Sequence, residues 1–134
     1  MGYPKEISLH SRSRSELIKL DAHIEKVVAE SGVRNGVCHI YVPHTTAGVI
    51  INEGADPAVA EDILARLEQL VPRDARYTHA EGNADSHIKA ALVGCSATVL
   101  VKDGRPALGT WQSIFFCEFD GPRRRQLWIK VTEA

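Results

Sequence analysis

The chain has 134 residues, the length of one typical domain, and its sixteen Lys and Arg against seventeen Asp and Glu leave a net charge of −1 with histidines neutral. That balance supplies no basic excess for phosphate-backbone affinity, which argues against a nucleic-acid partner. At 44% apolar and 25% charged residues the composition is that of a globular protein able to bury roughly two-thirds of its unfolded surface, while apolar runs such as residues 47–51 fall far short of the ~20 residues a membrane-spanning helix needs.

Residues 1–14 lack an apolar signal-peptide centre, and Met1-Gly2 opens like an acylation site but has Glu6 where Ser or Thr is required. Residues 5–14 read as a strand, with Ile7 and Leu9 alternating with Ser8 and His10. A helix is predicted over 21–31, with Asp21 as N-cap, Ile24, Val27 and Val28 as the apolar stripe, and Gly32 as the stop. Asn35-Gly36 marks a turn into a strand over 37–42, which buries Cys38, Ile40 and Val42 and ends at Pro43. A second apolar strand, 47–51, ends at Asn52-Glu53.

Asp56 as N-cap and Pro57 at the first helical position start the next helix, with Ile63, Leu64, Leu67 and Leu70 as its buried stripe. It stops before Pro72. Residues 73–82 are polar and irregular. A short helix then runs from 83–85 to just before Gly94, burying Ile88, Ala91 and Leu92. Residues 98–101 read as a strand and 102–105 as a turn. A hairpin of 109–120 and 123–132 is predicted around Asp120-Gly121-Pro122. Strands outnumber helices and the hairpins look local, which reads as an α+β domain on antiparallel sheet. Cys38, Cys95 and Cys117 show no CxxC pairing and lie in or beside apolar runs, as expected of buried thiols in a reducing cytoplasm.

On the predicted hairpin, Arg123 and Arg125 stand beside Phe119 and Cys117 at one end of a packed face, where two guanidiniums could clamp an anion. The same spacing also lets both curl outward into water. Glu118 is expected to pair across the hairpin with Arg124, or to lie at a subunit boundary. Gln112, six residues earlier, is roughly 20 Å away, too far for one shared site.

His79 comes from a loop, Asn83 is a helix N-cap candidate, and His87 lies in the first turns of that helix, a terminus that suits a phosphate as well as a metal. No HExxH or CxxC array is present. His44-Thr45-Thr46 at a strand end could supply a general acid or base, or threonines that satisfy loop backbone. Asn52, Glu53 and Asp56 could hold Mg²⁺ through oxygen ligands, although Asp56 has its capping role.

Taken together, PHTTAGVIINE, YTHAEGNADSHIKAALVG, LGTWQSIFFCEFDGPRRR and the Asn-Glu…Asp-Pro helix entry resemble the YjbQ-like family, from about Ser8 to the C-terminus. The resemblance implies an α+β fold of sandwich-like antiparallel sheets with two to three helices, and a homotrimer. It also implies a weak thiamine-phosphate synthase activity that joins hydroxymethylpyrimidine diphosphate to thiazole phosphate and releases pyrophosphate. It points to His44, Thr45, Thr46, Asn52, Glu53, His79, Asn83, His87, Trp111, Gln112, Glu118, Arg123 and Arg125. Ser86 departs from the alanine usual in the family, and 98–102 lacks the proline expected before the Asp-Gly turn.

On this reading His44, His79 and His87 are catalytic. Thr45, Thr46, Asn83, Trp111, Gln112, Arg123 and Arg125 bind substrate and phosphate, and Glu53 with Asn52 holds Mg²⁺. The alternatives are a metal-dependent hydrolase or metal-binding protein with Zn²⁺ on His44, His79 and His87, and a non-catalytic trimer that binds a phosphorylated metabolite.

Overall fold

A computed structural model describes residues 4–134, so the Met1-Gly2 reading lies outside the described residues. In chain order the elements are β1 (Lys5–His10), β2 (Glu16–Lys19), α1 (Asp21–Ser31), β3 (Gly36–Tyr41), β4 (Ala47–Glu53), α2 (Pro57–Leu70), α3 (Ala84–Val93), β5 (Ser96–Lys102), β6 (Arg105–Pro106), β7 (Gln112–Glu118) and β8 (Arg124–Glu133). They form two antiparallel sheets, a five-stranded one in the order β1-β8-β3-β5-β6 and a three-stranded one in the order β2-β7-β4. The α+β architecture expected from the sequence is the one observed.

The main core lies between the sheets. Cys38 and Ile40 of β3, Val99 and Val101 of β5, and Leu127 and Ile129 of β8 meet Val49 of β4 and Ile114 and Phe116 of β7, with Ile24, Val27 and Val28 of α1 closing one side. A smaller cluster on the other face of the three-stranded sheet joins Cys117 and Phe119 to Ala90 of α3, with Leu64 and Leu67 of α2 packed against it.

Several elements differ from the expectation. The predicted strand 5–14 is two strands in different sheets. The amides of Arg12 and Ser13 donate to Glu16 Oε2 (2.5 and 3.0 Å), which turns the chain from β1 into β2. Leu20, not Asp21, occupies the N-cap of α1, and the Asp21 carboxylate instead accepts from the N–H of Ile114 (2.7 Å). Asp56 does cap α2, accepting from the N–H of Ala58 (3.0 Å). The α2 stripe is only half-buried and Leu70 is exposed.

The predicted 109–132 hairpin does not exist, because β7 and β8 belong to different sheets. β7 is buried on both faces and needs a partner on each side, which β2 and β4 supply. The connecting residues bond to other segments: Phe119 N–H to Thr46 O (3.2 Å), Gly121 N–H to Arg14 O (3.0 Å), and Ser11 N–H to Arg123 O (3.0 Å).

The third helix is inverted relative to its apolar pattern. Asp85, Ser86 and Lys89 are buried, while Ile88, Ala91 and Leu92 are exposed. Arg14 grips Asp85 through two hydrogen bonds of 3.1 Å, and Lys89 Nζ donates to Asp85 Oδ2 (3.0 Å) and Glu68 Oε2 (3.1 Å). Ser86, the departure from the family pattern, donates to Phe119 O (2.5 Å). Buried charges persist only when paired in this way. Cys95 is exposed rather than buried, because it sits at the bend between α3 and β5. Lys102 to Arg105 forms the expected turn, with Asp103 and Gly104 both at positive φ.

Candidate functional site

An open cleft of about 450 Å³ gathers three distant segments: Pro43, His44, Thr45 and Thr46; His79, Glu81, Asn83 and His87; and Asp120, Arg123 and Arg125. Each segment follows or precedes a regular element that holds it in place. Pro43 lies between β3 and β4, where Val42 N–H donates to Cys95 O (2.8 Å) and Thr46 O accepts from Phe119 N–H. Asn83 precedes α3, and residues 120–125 lead from one sheet to the other.

Arg125 projects inward with Leu127 and Ile129, while Glu118 points inward with Ile114 and Phe116, so the two meet between the sheets. Arg125 Nε donates to Glu118 Oε1 (2.9 Å) and Nη2 bonds Glu118 Oε2. Nη2 also donates to Thr46 Oγ1 (2.8 Å), and Ser11 Oγ donates to Glu118 Oε1 (2.6 Å). Burial pushes the Glu118 carboxyl upward, but bonds from Arg125, Ser11 and the Asp120 amide outweigh it and hold the group below its ordinary 4.5. The partner of Glu118 is therefore Arg125, not Arg124. The arginine expected to clamp an anion is already largely neutralised, because burial makes pairing obligatory.

Arg123 is half-exposed and faces the cleft as a tethered donor, with Nε to Asp120 O (2.8 Å) and Nη2 to Asp120 Oδ2 (3.1 Å). The same Asp120 Oδ2 accepts from Asn83 Nδ2 (2.8 Å). Asn83 occupies the N-cap position of α3 without a side-chain cap bond.

His44 Nε2 accepts from the backbone N–H of Gln126 (2.9 Å), so the neutral ring carries its proton on Nδ1. Desolvation, followed by the nearby Arg125 charge, holds its pKa below the ordinary 6.5. His44 is thus a neutral donor over most of the physiological range. The rings of His79 and His87 meet edge to face with centroids 5.2 Å apart, and His79 Nε2 lies 3.7 Å from Glu81 Oε1. Beyond that pair a smaller apolar recess of about 370 Å³ is lined by Tyr77, Thr78, Ala84 and Ile88 as well as both histidines.

The donors do not fit a metal within one chain. Among the described residues no three His, Cys, Asp or Glu side chains converge for one ion. Ligation by His44 Nδ1 would put the ring proton on Nε2, against the Gln126 N–H. The Mg²⁺ candidates are engaged in the turn before α2: Asn52 Oδ1 accepts from Glu53 N–H (2.7 Å) and Glu53 Oε2 from Asp56 N–H (3.2 Å). Glu53 pairs with Gln112 in register while Ala47 pairs with Glu118, so these two ends of the ladder lie about 20 Å apart. Asn52, Glu53, Trp111 and Gln112 are therefore not brought to the histidine cleft within a single chain.

The sequence reading left out Asp120, Glu81 and Ser11. Asp120 looked like a turn residue, and no local spacing links Ser11 to Glu118, 107 positions away. Cys38 and Cys117 are not candidate nucleophiles, since burial raises their thiols to about 11 and about 12. Among the described residues no helix is long and apolar enough to cross a membrane.

Residues 5–134 match the family described as UPF0047 protein YjbQ-like. A UPF0047 protein of Methanocaldococcus jannaschii is 53% identical over 123 residues, covering 92% of this chain and 89% of the relative. The UPF0047 protein YugU of Bacillus subtilis is 44% identical over 128 residues, covering 95% and 97%. A crystal structure of a YjbQ/UPF0047 family protein from Clostridium acetobutylicum superposes with a TM-score of 0.94 at 44% identity, covering 96% of this chain and 99% of that one.

Proposed function

The chain belongs to the YjbQ-like UPF0047 family, and on that premise we propose that it is a transferase of the thiamine-phosphate synthase type. The carbon–oxygen bond to the diphosphate of hydroxymethylpyrimidine diphosphate breaks, the thiazole nitrogen of thiazole phosphate bonds to that carbon, and pyrophosphate leaves. One observation carries this reading: a single cleft collects Thr45, Thr46, His44, His79, His87 and Arg123 from segments far apart in the chain. Such a set is rich in hydrogen-bond donors, which departure of an anion requires.

Within the proposal, the His44 Nδ1–H and the Thr45 and Thr46 hydroxyls hold the leaving oxygens. Arg123 swings part of its bonding from Asp120 to the phosphate, and His79 or His87 protonates the leaving group. Arg125 takes a supporting part by holding Thr46 through Nη2. The homotrimer belongs to the proposal too. Trp111 is 64% exposed in the single chain, and a neighbouring copy is the route by which it and Gln112 would approach a cleft. The compartment of choice is the reducing cytoplasm.

The test is pyrophosphate release from the two substrates. Arg123→Ala should raise KM for the diphosphate about tenfold, as loss of one charge-assisted contact does. His44→Gln should lower kcat. Unchanged kinetic constants in both variants would rule the assignment out.

A further inference from the structure

Arg123 is the half-exposed cation of the cleft, yet it sits in the irregular segment between β7 and β8, where no strand or helix ladder fixes it. Its guanidinium is tied to Asp120, three positions earlier in the same segment, and Asn83 ties that carboxylate to the start of α3. The main chain of Arg123 is fixed from a different place. Ser11 N–H donates to Arg123 O (3.0 Å), and Ser11 Oγ accepts from Arg123 N–H (2.9 Å). Both main-chain polar groups of Arg123 are thus spent on one residue, 112 positions away.

The direction of the Ser11 hydroxyl is set from inside the protein. Glu118 is buried and ionised beside Arg125, so it only accepts, and Ser11 Oγ donates to its Oε1 (2.6 Å). With its proton on the carboxylate, the hydroxyl turns a lone pair to the Arg123 amide, and a charge-assisted bond at one end strengthens the bond at the other. The fit is close as well: a Cβ on Gly121 would meet Ser13 O and lie 2.6 Å from Ser11 Oγ, so residues 11–13 and the Arg123 segment touch main chain to main chain.

We infer that Ser11 is a positioning residue of the cleft, which holds Arg123 in place opposite Thr45 and Thr46 so that one anion meets both walls. This inference rests on the reading of the cleft as a site for a phosphorylated small molecule. Ser11 is buried and acts through Arg123. Its bond to Glu118 also joins it to the pair that holds Thr46 through Arg125 Nη2, so one hydroxyl refers both walls to a common point. Loss of such a group costs affinity although no ligand contact is removed, because the contacting side chain is displaced.

The test is calorimetric titration of the full chain with inorganic pyrophosphate, using the wild type, Ser11→Ala, Arg123→Ala and the double variant. Ser11→Ala should weaken binding roughly three- to tenfold, and no more than Arg123→Ala does. In the Arg123→Ala background the same change should alter affinity less than about twofold, since the side chain it positions is gone. If Ser11→Ala fails to fold, Ser11→Cys, which keeps the volume but bonds weakly, takes its place in both backgrounds. Wild-type affinity in the Ser11 variant beside weakened binding in Arg123→Ala would overturn the inference and leave the cleft reading standing. Losses that multiply in the double variant would overturn it too, because Ser11 would then act on the fold at large. Equal binding by wild type and Arg123→Ala, or binding by neither, would remove the cleft reading and the inference together.

Discussion

Glu118 and Arg125 are seven positions apart in the chain yet meet from different sheets, with the carboxylate fully buried and the guanidinium 3% exposed. The two charges sit beside the hydrophobic layer that the sheets share, and each is the other's main compensation. Removing one member alone should be far worse than removing both. We expect Arg125→Ala to destabilise the fold by about 3–5 kcal/mol. Arg125→Met combined with Glu118→Leu should recover much of that loss. Urea unfolding of Arg125→Ala, of the single variants Arg125→Met and Glu118→Leu, and of the double variant measures both statements, and additive losses from the two matching singles would show that the pair is not coupled.

The pair on α3 leads to an asymmetric expectation. Asp85 pairs with both Arg14 and Lys89, so Asp85→Asn leaves Arg14 without its carboxylate and Lys89 with Glu68 alone, and should cost about 3–5 kcal/mol. Lys89→Met leaves Asp85 with Arg14 and should cost less, about 1–2 kcal/mol. Equal losses in denaturant unfolding would contradict this account of the network.

Stability should fall as the medium is acidified, in two windows. His44 is held below 6.5, so between 6.5 and its folded value the unfolded chain binds the proton that the folded chain refuses. Its contribution is complete above 6.5 and declines as pH drops below it. For Glu118 and Asp85, burial opposes ionisation but their cationic partners outweigh it, and both are held below their ordinary 4.5 and 3.8. Their contributions are present above those values and are lost on further acidification through the folded values. Melting temperature followed from pH 8 to pH 3 checks the order, and His44→Gln should flatten only the upper window.

Sequence patterning reached some of these features and missed others for identifiable reasons. The strand at 36–41, the α1 and α2 helices and the Asp56 cap follow from local spacing, and the structure brings His44, Asn83, His79, His87 and Arg123 to one cleft. Alternation along β7 correctly separates Ile114 and Phe116 from Cys117 and Phe119, but a strand's faces do not name its neighbours. A tight Asp-Gly-Pro connection therefore looked like a hairpin. The α3 inversion was hidden because the burial of Asp85 depends on Arg14, 71 positions away. Apolar counting sends Leu92 inward when no such partner is considered.

Metal content provides a separate check. Among the described residues no three suitable side chains converge within one chain, so we expect a single chain of the purified protein to hold no stoichiometric zinc by itself. Treatment with a chelator should leave its melting temperature unchanged. Elemental analysis before and after chelation, with His87→Ala alongside, measures this. Tightly held zinc lost together with stability would restore the metal reading.

The place of β8 bears on how the molecule is made. It lies between β1 and β3, and among the described residues β1 has no other strand partner. A nascent chain can form its helices early, but the β2-β7-β4 layer waits for residues 112–118, and the larger sheet lacks its second strand until residues 124–133 are synthesised. Pairings such as Lys5 with Ile129 close only then. Until that moment β1 is an unpaired edge open to strangers, and premature termination just before Arg124 should yield an aggregating product rather than a trimmed but working protein.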